Sequence, residues 1–218
     1  MTAVAVDVIT PDQSAIGAIR ARLDREIDDL LAILPDPALL TADARRGIVA
    51  RYTAVLEGNF IYWMTAAYLS AQSDQARAKI IDNLREEVCD AHPAMLRRFA
   101  TAASAVPTDS DTVAVDRDLT KVRLFVGRIA PVHNIVTMAF FEGFIQRFMP
   151  FLADLARLQG SAEFEYTDVH GVCDIAHTEE LFRALDAELA LAPRALTESA
   201  FDGVALLRRL VGSILGHN

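Results

Sequence analysis

Three residues near the end of the chain, His170, Asp174 and His177, have the types and the spacing needed to bind a metal ion. Each residue of an α-helix turns by roughly 100°, so offsets of four and seven bring the three side chains into a stripe about 60° wide. Two imidazoles and one carboxylate on one helix face suit a redox metal such as iron. The spacing therefore predicts a metal-binding helix face, provided that this face points into the protein.

Glu142 is a second candidate ligand because it lies in the most hydrophobic predicted helix of the chain, where its neighbours at helical spacing are mostly apolar. Burial of an unpaired carboxylate is costly, so Glu142 is expected to face a cation. A metal ion would satisfy this requirement. The alternative interpretation is an ion pair with Arg147 or Arg128.

A third source of ligands is the segment 83–93, which contains Glu86, Glu87, Asp90 and His92. Glu87 and His92 are five residues apart, so an ideal helix would direct them roughly 140° away from each other. His92 precedes a proline, and a residue in that position avoids the α-helical region. A helix break there would let His92 turn back toward the glutamates. Glu87 and His92 are therefore predicted ligands, whereas Glu86 and Asp90 are expected on a solvated face.

Weaker candidates are Glu57, His133 and His217. Glu57 could be a further carboxylate ligand, an acceptor for an imidazole N–H group, or simply a charge at a helix end. His133 has no carboxylate nearby in the sequence and His217 lies at the C-terminal end, so neither is expected to bind metal. The predicted ligands come from three segments and suffice for two metal ions: Glu87, His92, Glu142, His170, Asp174 and His177, with Glu57 as an additional candidate.

Helices are the elements that would position these residues, because apolar residues recur at helical spacing and no segment alternates as a strand would. The fold class expected is an all-α bundle of seven to eight helices that forms a single domain over residues 1–218. A polar loop is expected at 106–112, and Pro150 is expected to kink or split its helix. The predicted helices span about 15–33, 41–72, 74–89, 93–105, 117–128, 132–158, 162–192 and 197–215.

Composition restricts the class of protein. Hydrophobic residues make up 52% of the chain, and the mean hydropathy of +0.24 fits several helices with buried faces. A net charge of -9 argues against partners such as nucleic acids and anionic membrane surfaces. No signal peptide is evident, and the longest uncharged stretch, Gly58–Ser73, is too short and too mixed to span a bilayer. Two cysteines do not make a disulfide framework, so a cytoplasmic protein with free thiols is expected.

The arrangement of these motifs resembles the haem-oxygenase-like diiron oxidases and oxygenases. The resemblance lies in Asn-Leu-Arg-Glu-Glu at 83–87 followed by His92-Pro, then the isolated Glu142, then His-x3-Asp-x2-His at 170–177. It covers roughly residues 57–181 and implies the all-α fold shared with thiaminase-II-like and pyrroloquinoline-quinone-synthase-like proteins. A ferritin-like bundle is disfavoured because its two Glu-x-x-His pairs are absent. The residues three positions after Glu87 and Glu142 are Asp and Ile.

The resemblance implies that two Fe(II) ions bind per chain and that O2 is the co-substrate. It implies a small substrate carrying an amine or a carboxylate, with N-oxygenation, oxidative C–C cleavage or decarboxylation as the reaction. A homodimer and an external electron donor are compatible with it. The Glu-to-His distance in the second motif varies in the family, so Glu86 stays an alternative to Glu87. Cys89 stands where the family often has glycine.

Two other classes of protein stay open at this point. One is a metal-independent enzyme of the same fold, in which the His170 face hydrogen-bonds a ligand; the other is a non-enzymatic helical binding protein. A haem-degrading enzyme is disfavoured, because no glycine-rich helix is present to face a haem. Arg128 and Arg147 are candidate cations for an anionic substrate. Candidate pocket walls are aromatic: Trp63, Phe140, Phe141, Phe144 and Tyr166.

Overall fold

A computed structural model describes residues 13–193 and 196–216. Within these ranges the chain forms α-helices joined by turns and contains no β-strand, so the prediction of an all-α bundle is confirmed. Short 3-10 turns occupy Pro37–Leu39 and Glu198–Phe201. The helices are α1 (Gln13–Ala32), α2 (Ala42–Leu56), α3 (Asn59–Ser70), α4 (Asp74–Cys89), α5 (His92–Ala102), α6 (Asp109–Val126), α7 (Pro131–Leu158), α8 (Glu165–Leu191) and α9 (Asp202–Leu215).

The helix predicted over about 41–72 divides in two at Gly58. Gly58 has a φ angle of +84°, a left-handed conformation that glycine adopts without the steric penalty of a Cβ atom. Glu57 ends α2 in an extended conformation, and the Asn59 side chain donates a hydrogen bond of 2.7 Å to the carbonyl oxygen of Val55. The resulting turn between α2 and α3 borders the cavity described below.

The polar loop predicted at 106–112 is shorter than expected, because α6 begins at Asp109. The Thr108 hydroxyl accepts a hydrogen bond from the backbone N–H of Asp111, whose carboxylate accepts one from the backbone N–H of Thr108. This reciprocal capping box uses the polar residues that suggest a loop. The same residue types favour a helix N-terminus, which is why the boundary was misplaced.

Helix α7 is the central helix of the bundle and continues through Pro150 rather than splitting there. By length and composition it is the one helix of the described ranges that could cross a membrane, but 78% of its most apolar window is buried inside the fold. It makes its most extensive contacts with α8, which also contacts α4 and α5. The three segments that carry the predicted ligands are therefore brought together around α8.

Candidate metal centre

All six predicted ligands are buried inside the bundle. Their exposed fractions are 3% for Glu87, 4% for His92, 1% for Glu142, 5% for His170, 0% for Asp174 and 4% for His177. Side chains with charge or strong polarity are buried at a high free-energy cost unless they have partners. The face of α8 that carries the His-x3-Asp-x2-His motif thus points inward, toward α4, α5 and α7.

One group of candidate ligands consists of Glu87, His92 and His170, whose ligand atoms all lie within 4.8 Å of one another. Oε1 of Glu87 is 2.7 Å from Nδ1 of His92 and 3.8 Å from Nε2 of His170. The approach of His92 depends on a chain reversal between α4 and α5, where Ala91 adopts a left-handed φ of 57°. The helix break expected before Pro93 is present, and it turns His92 back toward Glu87.

A second group forms around Nδ1 of His177. This atom lies 3.6 Å from Oδ1 of Asp174 and 3.8 Å from Oε1 of Glu142. Cys173 is adjacent: its thiol donates a hydrogen bond of 3.2 Å to Oδ1 of Asp174. Cys173, Asp174 and His177 also offer ligand atoms that lie within 4.8 Å of one another. The candidate residues therefore divide into two groups, each with a carboxylate and an imidazole.

Two histidines of α8 have one ring nitrogen occupied by a protein acceptor. Nδ1 of His170 donates to the carbonyl oxygen of Tyr166 at 2.8 Å, and Nε2 of His177 lies 2.9 Å from Oε2 of Glu86. Because a carbonyl and a carboxylate accept hydrogen bonds, the opposite nitrogen of each neutral ring would carry the lone pair. A metal-binding histidine commonly has such a partner, which sets the ring orientation.

Comparison with known proteins agrees with this geometry. A haem-oxygenase-like family model matches residues 49–212. The family is described as an iron-containing redox enzyme. The chain belongs to this haem-oxygenase-like family of iron-containing redox enzymes. The matched stretch contains all six candidate ligands and more than half of the chain. A search of curated proteins finds no match to the sequence.

The buried polar atoms of this iron-containing redox enzyme fit the binding of cations. Oδ2 of Asp174 and Nδ1 of His177 have no hydrogen-bond partner among the described residues, although both are shielded from solvent. Buried polar atoms are nearly always paired, so these two require a partner that is not a protein group. Imidazole and carboxylate donors are the types that bind non-haem iron.

The pKa values of the buried ionisable groups also fit the binding of cations. Burial and the neighbouring Asp174 raise the pKa of Glu142 to about 7. Burial would lower the pKa of His177, but its contacts with Asp174 and Glu142 raise it to about 11. Burial would also raise the pKa of Glu87, yet His170 and His92 hold it at about 2. The carboxylates thus crowd one another in a region of low polarity, where cations would stabilise their ionised forms.

The remaining candidates lie away from the two groups. The Glu57 carboxylate accepts a hydrogen bond of 2.6 Å from Nε of Arg97 at the surface, so its role as a ligand stays a prediction. Asp90 is exposed, as expected. His133 is only partly buried and pairs with the Ser199 hydroxyl at 3.2 Å. His217 lies outside the described residues.

Sequence reasoning missed the hydrogen-bonding roles of two residues at the site. The Asn83 side chain donates a hydrogen bond of 2.8 Å to Oε1 of Glu142, and it is buried. The sequence contained a signal for Asn83, because this residue lies one helical turn before Glu87 and on the same face of the helix. The backbone of Tyr166 holds His170, and the Tyr166 hydroxyl lies 2.8 Å from the hydroxyl of Tyr52. This tyrosine pair joins α2 to α8 and had no signal in the sequence.

A small cavity of about 20 Å³ adjoins the candidate ligands. Of the aromatic residues predicted as its walls, Phe141 and Tyr166 line it, whereas the other three are buried in the core away from it. Neither arginine expected to receive an anionic substrate lines it. Its lining consists of Leu56, Phe60, Ile61, Pro93, Leu96, Phe141, Ile145 and Tyr166, together with Glu87, His92, Glu142, His170 and Asp174.

Proposed function

We propose that this protein is a non-haem diiron oxidase or oxygenase that uses O2 to oxidise a small metabolite bearing an amine or a carboxylate. The observation that carries the proposal is the division of the buried donors into two groups. Glu87, His92 and His170 form one group, and Glu142, Asp174 and His177 form the other. One metal ion would leave one of these two groups without a metal, whereas two ions would serve both groups of buried charge.

Glu87, His92 and His170 would hold one iron, and Glu142, Asp174 and His177 would hold the other. When bound, the two Fe(II) ions would supply the reducing electrons and the Lewis acidity that reaction with O2 requires. In this proposal the ion demands deprotonated carboxylates and a neutral imidazole nitrogen. The raised pKa values of Glu142 and His177 therefore imply that iron binding releases protons at neutral pH.

The rest of the site orients these donors and keeps water away. Asn83 fixes one oxygen of Glu142, the Tyr166 carbonyl fixes the His170 ring, and Glu86 fixes the His177 ring. The apolar wall of the cavity leaves little room for bulk water beside the donors. A dry pocket with pre-oriented ligands favours oxidation of a bound substrate over side reactions with water.

The reaction type would be N-oxygenation, oxidative C–C cleavage or decarboxylation, in small-molecule biosynthesis. We further propose that the protein acts in the cytoplasm and takes electrons from an external donor when the reaction consumes more than the two irons hold. Cys89 and Cys173 are free thiols in the structure. A homodimer remains our expectation for the assembly.

Metal analysis after anaerobic loading with Fe(II) tests the proposal. We expect two irons per chain and rapid O2 consumption with an accompanying change in the visible spectrum. Asp174→Asn should lower the iron content, whereas Asp90→Asn, a matched change at an exposed position of the nearby turn, should not. An iron content clearly below two per chain in the unsubstituted protein would contradict the diiron proposal.

A further inference from the structure

Cys173 lies on α8 among the residues of the second group of candidate ligands. It comes four residues before His177, so the two side chains project from the same face of the helix, one turn apart. The Sγ atom of Cys173 is 3.2 Å from Oδ1 of Asp174. Cys173, Asp174 and His177 each offer a ligand atom, and these atoms lie within 4.8 Å of one another. A thiol therefore lies beside the position that the second iron would occupy.

The two neighbours of this thiol have polar atoms that lack a protein partner. In the part of the chain that the structure describes, neither Oδ2 of Asp174 nor Nδ1 of His177 has a hydrogen-bond partner. Asp174 is 0% exposed and His177 is 4% exposed, so solvent does not supply one. Buried polar atoms are nearly always paired. A cation bound between the two side chains would give both atoms a partner, and Cys173 lies within reach of the same cation.

The separations between these donor atoms match those of ligands that share one metal ion. A metal–sulfur bond of about 2.3 Å and a metal–oxygen bond of about 2.1 Å, at an angle of about 90–110°, place the two donors about 3.1–3.6 Å apart. The 3.2 Å between the Cys173 and Asp174 atoms lies in this range. Nδ1 of His177 lies at a similar separation of 3.6 Å from Oδ1 of Asp174. The thiol, the carboxylate and the imidazole are therefore spaced to bind one ion together.

A hydrogen bond from the thiol to Asp174 is the alternative role for this contact. The S–H group is a weak donor, so such a bond orients a carboxylate only weakly. A bound metal ion would replace the proton between Sγ and Oδ1, because a thiol that coordinates a metal loses its proton. That proton would pass to the solvent, which reaches the partly buried Cys173. The metal-free contact and the metal-bound arrangement then use the same two atoms.

We propose that Cys173 binds the second iron as a thiolate, together with Glu142, Asp174 and His177. The two metal positions then differ in chemistry. The one that contains His92 has only nitrogen and oxygen donors, whereas the one that contains His177 also has a sulfur donor. Thiolate favours soft metal ions, and carboxylates and imidazoles accept harder ones such as Mn(II). This inference rests on the proposed metal-binding function.

Anaerobic loading of the full-length protein with Co(II) tests the sulfur donor. A cobalt–thiolate bond gives an intense charge-transfer band in the near ultraviolet, which nitrogen and oxygen ligands do not give. We expect this band in the unsubstituted protein. Cys173→Ser should remove it, whereas Cys89→Ser, which changes the exposed cysteine at the end of α4, should retain it. A band that is absent from the unsubstituted protein, or that persists in Cys173→Ser, would overturn the inference.

Titration with a soft and a harder metal ion separates ligation from a hydrogen bond. The serine of Cys173→Ser keeps a hydroxyl that can donate to Asp174, but it lacks the soft sulfur donor. Loss of an outer hydrogen-bonding partner weakens metal binding about 10- to 100-fold. We expect Cys173→Ser to weaken Cd(II) binding more than this and Mn(II) binding much less. Equal effects on Cd(II) and Mn(II) would show that the thiol only orients Asp174, which contradicts the inference.

The Co(II) content measured beside each spectrum separates this inference from the proposed function. Two ions per chain without the charge-transfer band contradict ligation by Cys173 and leave the two-metal site intact. One ion per chain with the band contradicts the two-metal site but supports ligation by Cys173. Protein that binds one ion without the band, or no ion, contradicts both.

Discussion

The Nε2 atom of His177 lies 2.9 Å from Oε2 of Glu86, whereas the next residue, Glu87, lies between His92 and His170. Neighbouring residues on a helix point about 100° apart, so two adjacent glutamates serve different parts of the site. Glu86 is more than half exposed and occupies the nitrogen of His177 that faces away from Asp174 and Glu142. Its geometry is that of an orienting partner rather than a ligand.

We therefore predict different effects of the same change at the two positions. Glu87→Gln should lower the iron content to about one per chain, because it removes a buried anionic donor. Glu86→Gln should retain two irons but weaken iron binding about 10- to 100-fold, the usual effect of losing a partner of a metal-bound histidine. Iron titration of both purified variants measures this. Loss of iron from the Glu86 variant alone would reverse the assignment.

Metal removal is expected to destabilise the protein. Buried carboxylates crowd one another without cations, and a metal that binds only the folded state adds about 2.7 kcal/mol to the free energy of unfolding at 100 times its Kd. Thermal unfolding with Mn(II), and again with a chelator, measures the difference without oxidation chemistry. His177→Ala should abolish most of the metal-dependent shift. His133→Ala, which changes a partly buried histidine paired with Ser199, should leave it intact.

The ion pair between Arg46 and Asp111 predicts a specific loss of stability in acid. Burial would raise the pKa of Asp111, but hydrogen bonds from Arg46 and Thr108 lower it from 3.8 to about 2. A depressed carboxyl pKa stabilises the fold above the unfolded value and loses this contribution as the pH falls toward the folded value. The loss should therefore occur between about pH 4 and pH 2.

Urea unfolding of the metal-free protein across that range provides the measurement. Asp111→Asn should be less stable than the unsubstituted protein at neutral pH, and the difference between the two should shrink as the pH falls from 4 to 2. Asp109→Asn changes an exposed residue of the same helical turn and serves as the control. A constant difference between the Asp111 variant and the unsubstituted protein would show that the ion pair does not cause the effect.

Close packing of α7 against α9 predicts that Gly203 cannot be enlarged. A Cβ atom at Gly203 would lie 2.0 Å from Oγ1 of Thr137 and 2.7 Å from Cε1 of Phe125. Gly203→Ala should therefore destabilise the protein by about 1–3 kcal/mol through overpacking. Gly17→Ala in α1, where nothing lies within 4 Å, should instead stabilise it by about 0.5–1 kcal/mol. Chemical denaturation of both variants would show opposite signs, and equal effects would contradict the packing argument.

Local patterns were enough to predict the His170 face, because the spacing of residues along a helix depends only on backbone geometry that neighbouring residues share. The burial of Glu142 followed in the same way from its apolar neighbours. A break between Glu87 and His92 was also predicted, although the structure places it at Ala91, whose left-handed φ of 57° comes directly before the start of α5 at His92. These inferences concern residues within one or two helical turns of each other.

These local patterns could not predict contacts between segments that are far apart in the sequence. The sequence marked Glu57 only as a weaker candidate than Glu87 and could not identify its partner; it pairs with Arg97 at the surface, while Glu87 lies between two histidines. Arg147 lies on α7 with Glu142 but forms its ion pair with Asp28, 119 residues away. Such pairings depend on how α1, α4, α5, α7 and α8 pack, which is a sum of many weak contacts. Periodicity identifies the face that a helix buries, but the partner that this face meets depends on the packing of the whole chain.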